Sequence, residues 1–216
     1  MLKKHKVKKN KNMNQQELEN VLSSLDGWCS TEKARALCNL VEEIKPKLIL
    51  ELGVFGGRSL VPMAITQKNI QCGISVGIDH WSYQSSLEGD DIGDDVEYWK
   101  NLNYQSIMYE CISGINRYGL DNCGILRMKS QDAYSMFGNE SIDILHQDGN
   151  HSEYINCLEV ELYMPKLRSG GYWISDDSNI RTVKKSLDMI LEHCDIVSSG
   201  KNSVNFNGTY TIFKKR

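Results

Sequence analysis

SIDILHQDGNHSEYINCLEVELYMPKLRSGGYWISDD, residues 141–177, is the stretch that decides the fold. Ile142, Ile144 and Leu145 form a short apolar run that stops at Asp148. A polar helix start follows at Asn150, His151 and Ser152, with Ile155, Leu158 and Leu162 at helical spacing behind it. Pro165 and the pair Gly170-Gly171 end that helix, and Tyr172, Trp173 and Ile174 begin a second apolar run that stops at Asp176-Asp177. The order is strand, helix, strand. A connection of this length in an open sheet makes the strands parallel, so both carboxyl ends point the same way. Asp148, Asp176 and Asp177 therefore arrive at one edge of the sheet, where open α/β sheets bind ligands. Three carboxylates gathered there repel one another unless a cation joins them, and an all-oxygen set suits a hard ion such as Mg²⁺.

Working outward, the chain has 216 residues, enough for one α/β domain with a full core. A net charge of −3 gives no overall pull toward nucleic acid or an anionic membrane. The 7 cysteines are odd in number, scattered and never spaced C-x-x-C, which reads as reduced thiols in a cytoplasmic protein. No run suits a membrane span, and the N-terminus lacks the apolar core of a secretory signal.

Residues 1–12 (MLKKHKVKKNKN) are lysine-dominated and predict a disordered basic tail. Residues 13–46 predict two helices packed on the core, the second capped by Ser30 or Thr31 with Ala34, Leu37, Cys38 and Val41 on its buried side. Trp28, between them, reads as a packing anchor. Residues 47–216 are then the main domain. KLILEL (47–52) is a continuous apolar strand of the kind that sits mid-sheet, ISVGI (74–78) a second, and Ile125–Met128 a third. Residues 80–122 are long for a simple connection and read as an insertion or lid, acidic at first (Asp90, Asp91, Asp94, Asp95) and then helical. A helix over Thr182–Glu192 and two closing strands, an antiparallel pair at one sheet edge, complete the chain.

The turn after the first strand is glycine-rich, but the order Gly53-x-x-Gly56-Gly57 displaces the second glycine of a dinucleotide fingerprint and disfavours NAD. Gly53 still lets a ligand approach the backbone. Free amides at the start of the next helix suit a carboxylate, such as the methionine end of S-adenosylmethionine. Asp79 ends the second strand, where it can accept from two ribose hydroxyls. Ser130 and Gln131 end the third, where an adenine edge would lie.

ELGVFGGRS (51–59), GIDHW (77–81), HQDGNHSEY (146–154) and GGYWISDD (170–177) together resemble the class I S-adenosylmethionine-dependent methyltransferases. The branch they resemble most contains metal-dependent sugar and macrolide O-methyltransferases and cephalosporin-hydroxylase-like proteins. The resemblance covers Leu48 to Asp177. It implies a Rossmann-like, mostly parallel seven-stranded sheet with helices on both faces and an antiparallel edge strand. It implies that Glu51, Gly53, Phe55, Ser59, Asp79, Ser130, Gln131 and Asp148 line the cofactor site, and that Asp148, Asp176 and Asp177 hold Mg²⁺. In some relatives a base stands two positions after the first metal Asp, which here is Asn150 and cannot serve. In others it is a histidine three positions after it, which here is His151.

The reaction expected is in-line methyl transfer to a hydroxyl of a small molecule or glycan. Mg²⁺ would lower the pKa of that hydroxyl and His151 would take its proton, imidazole titrating near neutrality. The structural alternative for His151 is the first turn of a helix whose capping box is Asn150 with Glu153. For the three Asp residues it is helix capping and pairing with Arg181 or Lys184. His80, His146 and His193 carry no expected role. A non-catalytic cofactor- or glycan-binding module and a nicotinamide-dependent oxidoreductase are the competing functions. The sequence leaves homo-oligomerisation open.

Overall fold

The computed structural model describes residues 13–89, 96–202 and 208–216. The basic tail 1–12 and the acidic run 90–95 lie outside the described residues. Two helices come first, α1 (Gln15–Ser23) and α2 (Thr31–Ile44). Asn14 and Glu17 close a reciprocal capping box on α1, and the Ser30 hydroxyl accepts from the Lys33 amide to start α2.

The strands are β1 (Leu48–Leu52), β2 (Ile74–Asp79), β3 (Cys123–Arg127), β4 (Ile142–Gln147), β5 (Leu167–Ser175), β6 (Cys194–Lys201) and β7 (Thr209–Lys215). Between them run α3 (Leu60–Ile70), α4 (Tyr83–Ser86), α5 (Val96–Lys100), α6 (Tyr104–Arg117), α7 (Ser130–Ala133), α8 (Glu153–Tyr163) and α9 (Lys184–His193). One sheet forms in the order β3-β2-β1-β4-β5-β7-β6. Every pairing is parallel except those of β7, which runs antiparallel to both β5 and β6. The fold is the Rossmann-like, mostly parallel arrangement expected, with its antiparallel pair at one edge.

Strand residues alternate between two cores because successive side chains point to opposite faces. Ile49, Ile144, Ile174 and Ile212 pack against α1, α2, α3 and α6, while Leu50, Leu145, Trp173 and Phe213 pack against α8 and α9. Both faces are covered, which is why the strands read as unbroken apolar runs. No helix among the described residues is long and apolar enough to cross a membrane. All seven cysteines are free thiols.

Two local expectations give way. Gly170-Gly171 does not end α8 but lies inside β5, which starts at Leu167. Gly170 takes φ +70°, and the β4–β5 register slips between Ile142 and Ile144 beside it, so the glycines serve a bulge. The N-cap of α8 is Ser152 rather than Asn150. Asn150 instead accepts from the Ser152 amide at 2.7 Å and donates to the Ser85 and Glu88 carbonyls at 2.9 and 2.8 Å. It thereby pins the α4 segment to the β4–α8 loop.

Gly53, at φ +83°, is where backbones crowd: a Cβ there would lie 2.1 Å from the Asp148 carbonyl oxygen. Gly124, in β3, has nothing within 4 Å of such a Cβ. Gly53→Ala is therefore expected to lower unfolding free energy by about 2 kcal/mol or more, and Gly124→Ala to change it by less than about 1 kcal/mol. Urea unfolding of the two variants checks the contrast.

Candidate active site

The chain leaves β1 toward β2 on one side and returns to β4 on the other, so the crevice of the sheet opens at the carboxyl ends of β1 and β4. A cavity of about 670 Å³ lies there, within the roughly 300–1,000 Å³ usual for small-ligand sites. Gly53, Phe55, Ser59, Asp79, Ser130, Gln131, Asp148, His151, Asp176 and Asp177 all reach its wall. Of the cofactor residues expected from the sequence, Glu51 alone does not line it. It is fully buried behind the wall, accepts the Ser59 hydroxyl at 2.5 Å, and faces His146 Nδ1 at 3.6 Å.

Three residues other than glycine hold left-handed backbone at this edge: Phe55 (φ +51°), Trp81 (φ +48°) and Asp177 (φ +49°). Such conformations are costly for bulky side chains and persist only where neighbours enforce them. Asp79 enforces two of the three. Its Oδ2 accepts the Val54 and Phe55 amides, each at 2.9 Å, and its Oδ1 accepts the Trp81 amide at 2.7 Å. The indole of Trp81 then donates to the Phe55 carbonyl at 2.9 Å. Burial pushes the Asp79 carboxyl up, against these hydrogen bonds. Asp79 thus takes up the Val54 and Phe55 amides of the turn that precedes α3.

Asp148 and Asp176 converge as predicted, but a lysine stands between them. Lys33 of α2 is fully buried and places its ammonium 3.0 Å from Asp148 Oδ2 and 2.7 Å from Asp176 Oδ2. Asn202 donates to the same Asp176 oxygen at 2.5 Å. Burial disfavours the Lys33 ammonium, yet the two carboxylates outweigh it and hold the group charged, well above the usual lysine range. Burial and then the Asp176 carboxylate push Asp148 up, against the pull of Lys33. Burial also opposes ionisation of Asp176, but Lys33 and then His146 hold it below the ordinary carboxyl range. The cation seen against both carboxylates among the described residues is Lys33, rather than the Arg181 or Lys184 of the capping alternative.

Asp177 is oriented differently. Its Oδ2 lies 3.0 Å from His151 Nε2. The group that can hold an ion among the described residues is His146, Asp148 and Asp176, whose ligand atoms lie within 4.8 Å of one another. Asp176 Oδ1 and both His146 nitrogens are buried without a hydrogen-bond partner, so atoms able to satisfy a cation remain beside Lys33. His146, given no role from the sequence, thus faces this centre.

On the far side of the cavity Ser130 and Gln131 meet two acids. Ser130 donates to Glu159 at 2.5 Å, Gln147 donates to the same carboxyl at 2.8 Å, and Gln131 reaches Glu88 at 3.4 Å. Burial raises Glu159 to about 7 in spite of the two donors. At the mouth, Trp28, Phe55, Tyr98 and Trp99 form a contiguous aromatic wall with ring centroids 4.8 to 6.4 Å apart. Trp28 is 40% exposed, so it is less a packing anchor than part of this wall.

The sequence reading missed Lys33, Glu159 and the aromatic wall. Lys33 had a signal, since it falls on the stripe 33, 37, 41 whose other members, Leu37 and Val41, are core residues.

Residues 50–178 match the family model described as "Methyltransferase domain". No curated protein matches the chain. Among solved structures, cofactor-bound Rv0187 from MTB superposes with a TM-score of 0.68 at 15% identity, covering 92% of this chain and 89% of that one. An O-methyltransferase from Bacillus cereus in complex with SAH gives 0.63 at 17% identity, covering 93% and 90%. The O-methyltransferase TomG from Streptomyces achromogenes, involved in tomaymycin synthesis and bound to SAM, gives 0.61 at 15%, covering 92% and 89%. At these identities the likeness is one of fold.

The buried Glu159 makes stability depend on pH. Its folded pKa of about 7 stands above the ordinary 4.5, so between those values the folded protein keeps a proton that the unfolded chain has released. That contribution is present at low pH and is lost as pH rises through the window. Thermal midpoints of the parent and of Glu159→Gln, taken at about pH 5 and about pH 8, are expected to shift in favour of the variant at the higher pH.

Proposed function

We propose that this chain, which belongs to the methyltransferase-domain family and is an S-adenosylmethionine-dependent methyltransferase, transfers methyl to a hydroxyl of a small molecule or glycan. The observation that carries the reading is the pairing of His151 with Asp177 in the same cavity as the Lys33–Asp148–Asp176 cluster. That arrangement supports a base held by an orienting acid beside carboxylates paired with a cation, next to the strained turns of a small-molecule site.

In this reading the methionine end of the donor lies along Gly53, Phe55 and Ser59, with Glu51 supporting Ser59 from behind. Its ribose lies toward Asp79, whose Oδ1 accepts one amide and retains acceptor capacity while Oδ2 is filled by two, and its adenine toward Ser130 and Gln131. His151 accepts the proton of the acceptor hydroxyl, and Asp177 holds the ring and stabilises the imidazolium that forms. The oxygen attacks the methyl carbon in line, the C–O bond forms as the C–S bond breaks, and the electron pair passes to sulfur, leaving a neutral thioether.

The predicted Mg²⁺ is retained in narrower form. Asp148 and Asp176 would hold it, supported by the partnerless Asp176 Oδ1, whereas Asp177 serves His151. When bound, such an ion supplies Lewis-acid polarisation of a hydroxyl. The aromatic wall at the mouth supports an acceptor with a flat or apolar face. Free thiols throughout are in keeping with a cytoplasmic setting. The nicotinamide reading has only the strand-ending Asp79 in its favour and is not carried further.

His151→Ala is expected to lower turnover with a responsive acceptor, found from a panel of sugars and phenols, by about 10²- to 10⁴-fold. The dissociation constant of S-adenosylhomocysteine should stay within about twofold, because His151 meets the acceptor rather than the donor. Steady-state rates and calorimetric titration read the two quantities. Unchanged turnover would remove His151 as the base.

A further inference from the structure

We infer that Lys33 is a positioning residue: its ammonium is the cation that gathers Asp148 and Asp176, so the acidic centre is assembled before any divalent ion arrives. Three observations carry this. The ammonium contacts one oxygen of each carboxylate, at 3.0 and 2.7 Å, and thereby ties the ends of two neighbouring strands together. The lysine is fully buried, so its charge is not exchanged for solvent, and a buried charge is tolerated only when paired. The opposite oxygen of Asp176 is left without a partner, which gives the centre a donor atom that Lys33 does not consume.

The lysine also couples this centre to the segment covering the cavity. Lys33 stands in the first turn of α2, three residues after the Ser30 cap. The preceding residues are fastened to the glycine-rich turn by Arg58, which donates to the Cys29 carbonyl at 2.9 Å and to the Leu22 and Leu25 carbonyls at 2.6 and 3.1 Å. Gly56 touches the same segment, since a Cβ there would lie 2.4 Å from the Asp26 carbonyl oxygen. The N-terminal helices, the glycine-rich turn and the carboxylate pair are therefore joined in one connected set of contacts. Methionine at position 33 would keep most of the stem's volume while removing the charge.

The test uses the full chain as parent, Lys33→Met and Lys33→Arg, each in EDTA and in millimolar Mg²⁺ or Mn²⁺. Thermal midpoints and S-adenosylhomocysteine affinity are the readouts. In EDTA, Lys33→Met is expected to melt roughly 6 to 20 °C lower than the parent, and to bind S-adenosylhomocysteine about tenfold more weakly. Divalent ion should restore part of both losses in Lys33→Met, while moving the parent midpoint by less than about 2 °C. Lys33→Arg, which keeps the charge, should fall between parent and Lys33→Met. A purely packing role for the stem would give no ion-dependent recovery. Should Lys33→Met not fold, Lys33→Met/Asp176→Asn, which removes the carboxylate held low by Lys33 together with the cation, is expected to fold. Failure of that double variant would overturn the proposal. So would a Lys33→Met protein that matches the parent in EDTA, or a parent that gains its midpoint and cofactor affinity only when ion is added. The inference rests on the proposed site only through the cofactor readout. A parent that binds no S-adenosylhomocysteine would sink the functional reading while the melting comparison still decides the role of Lys33.

Discussion

A single buried ammonium reconciles the charges at the centre of this molecule. Parallel strands joined by a helix must deliver their carboxyl ends to one edge, and β4 and β5 deliver Asp148 and Asp176 there in register. Like charges so placed repel, and burial magnifies the repulsion. Lys33 answers it from a helix that precedes the sheet in sequence, so the N-terminal helices are part of the site and not a separate adornment. The carboxylates divide accordingly: burial and then Asp176 push Asp148 up, while Lys33 holds Asp176 low against burial.

A second constraint surrounds the first. Left-handed backbone at Phe55, Trp81 and Asp177 bends the chain sharply where three strands end. Asp79 stabilises two of these bends through three amides, and those amides connect the β1 turn to the β2 turn. These hydrogen bonds brace the bends against their strain, the kind of preorganisation that in-line transfer demands. The aromatic wall draws on three stretches of chain, with Trp28 before α2, Phe55 after β1, and Tyr98 and Trp99 in α5, so its shape depends on how all three pack.

Much of this was legible in the sequence, and the parts that were not fail for definite reasons. Continuous apolar runs such as KLILEL announce strands covered on both faces, and the strand–helix–strand rule alone brings Asp148 beside Asp176. The glycine pair 170–171 misled because glycine both ends helices and makes bulges, and only the register slip opposite it distinguishes the two. Asp79 was read for its side chain facing a ligand, whereas its backbone partners lie 24 and 25 residues away and leave no periodic trace. Asp177 sat in the right place but turned to His151, because its left-handed backbone swings it away from Asp176, a choice tertiary geometry makes. Lys33 leaves a weaker trace, since lysine in a helix is mostly exposed, although it shares an apolar stripe with Leu37 and Val41.

Everything above turns on the cavity at the ends of β1 and β4 being the methyl donor's site. A crystal structure of the protein with S-adenosylhomocysteine tests it directly. The homocysteine is expected along Gly53–Ser59, the ribose against Asp79, the adenine beside Ser130 and Gln131, and the sulfur turned toward His151 and the Lys33 cluster. A ligand seated elsewhere, or one whose sulfur points away from those groups, would contradict it.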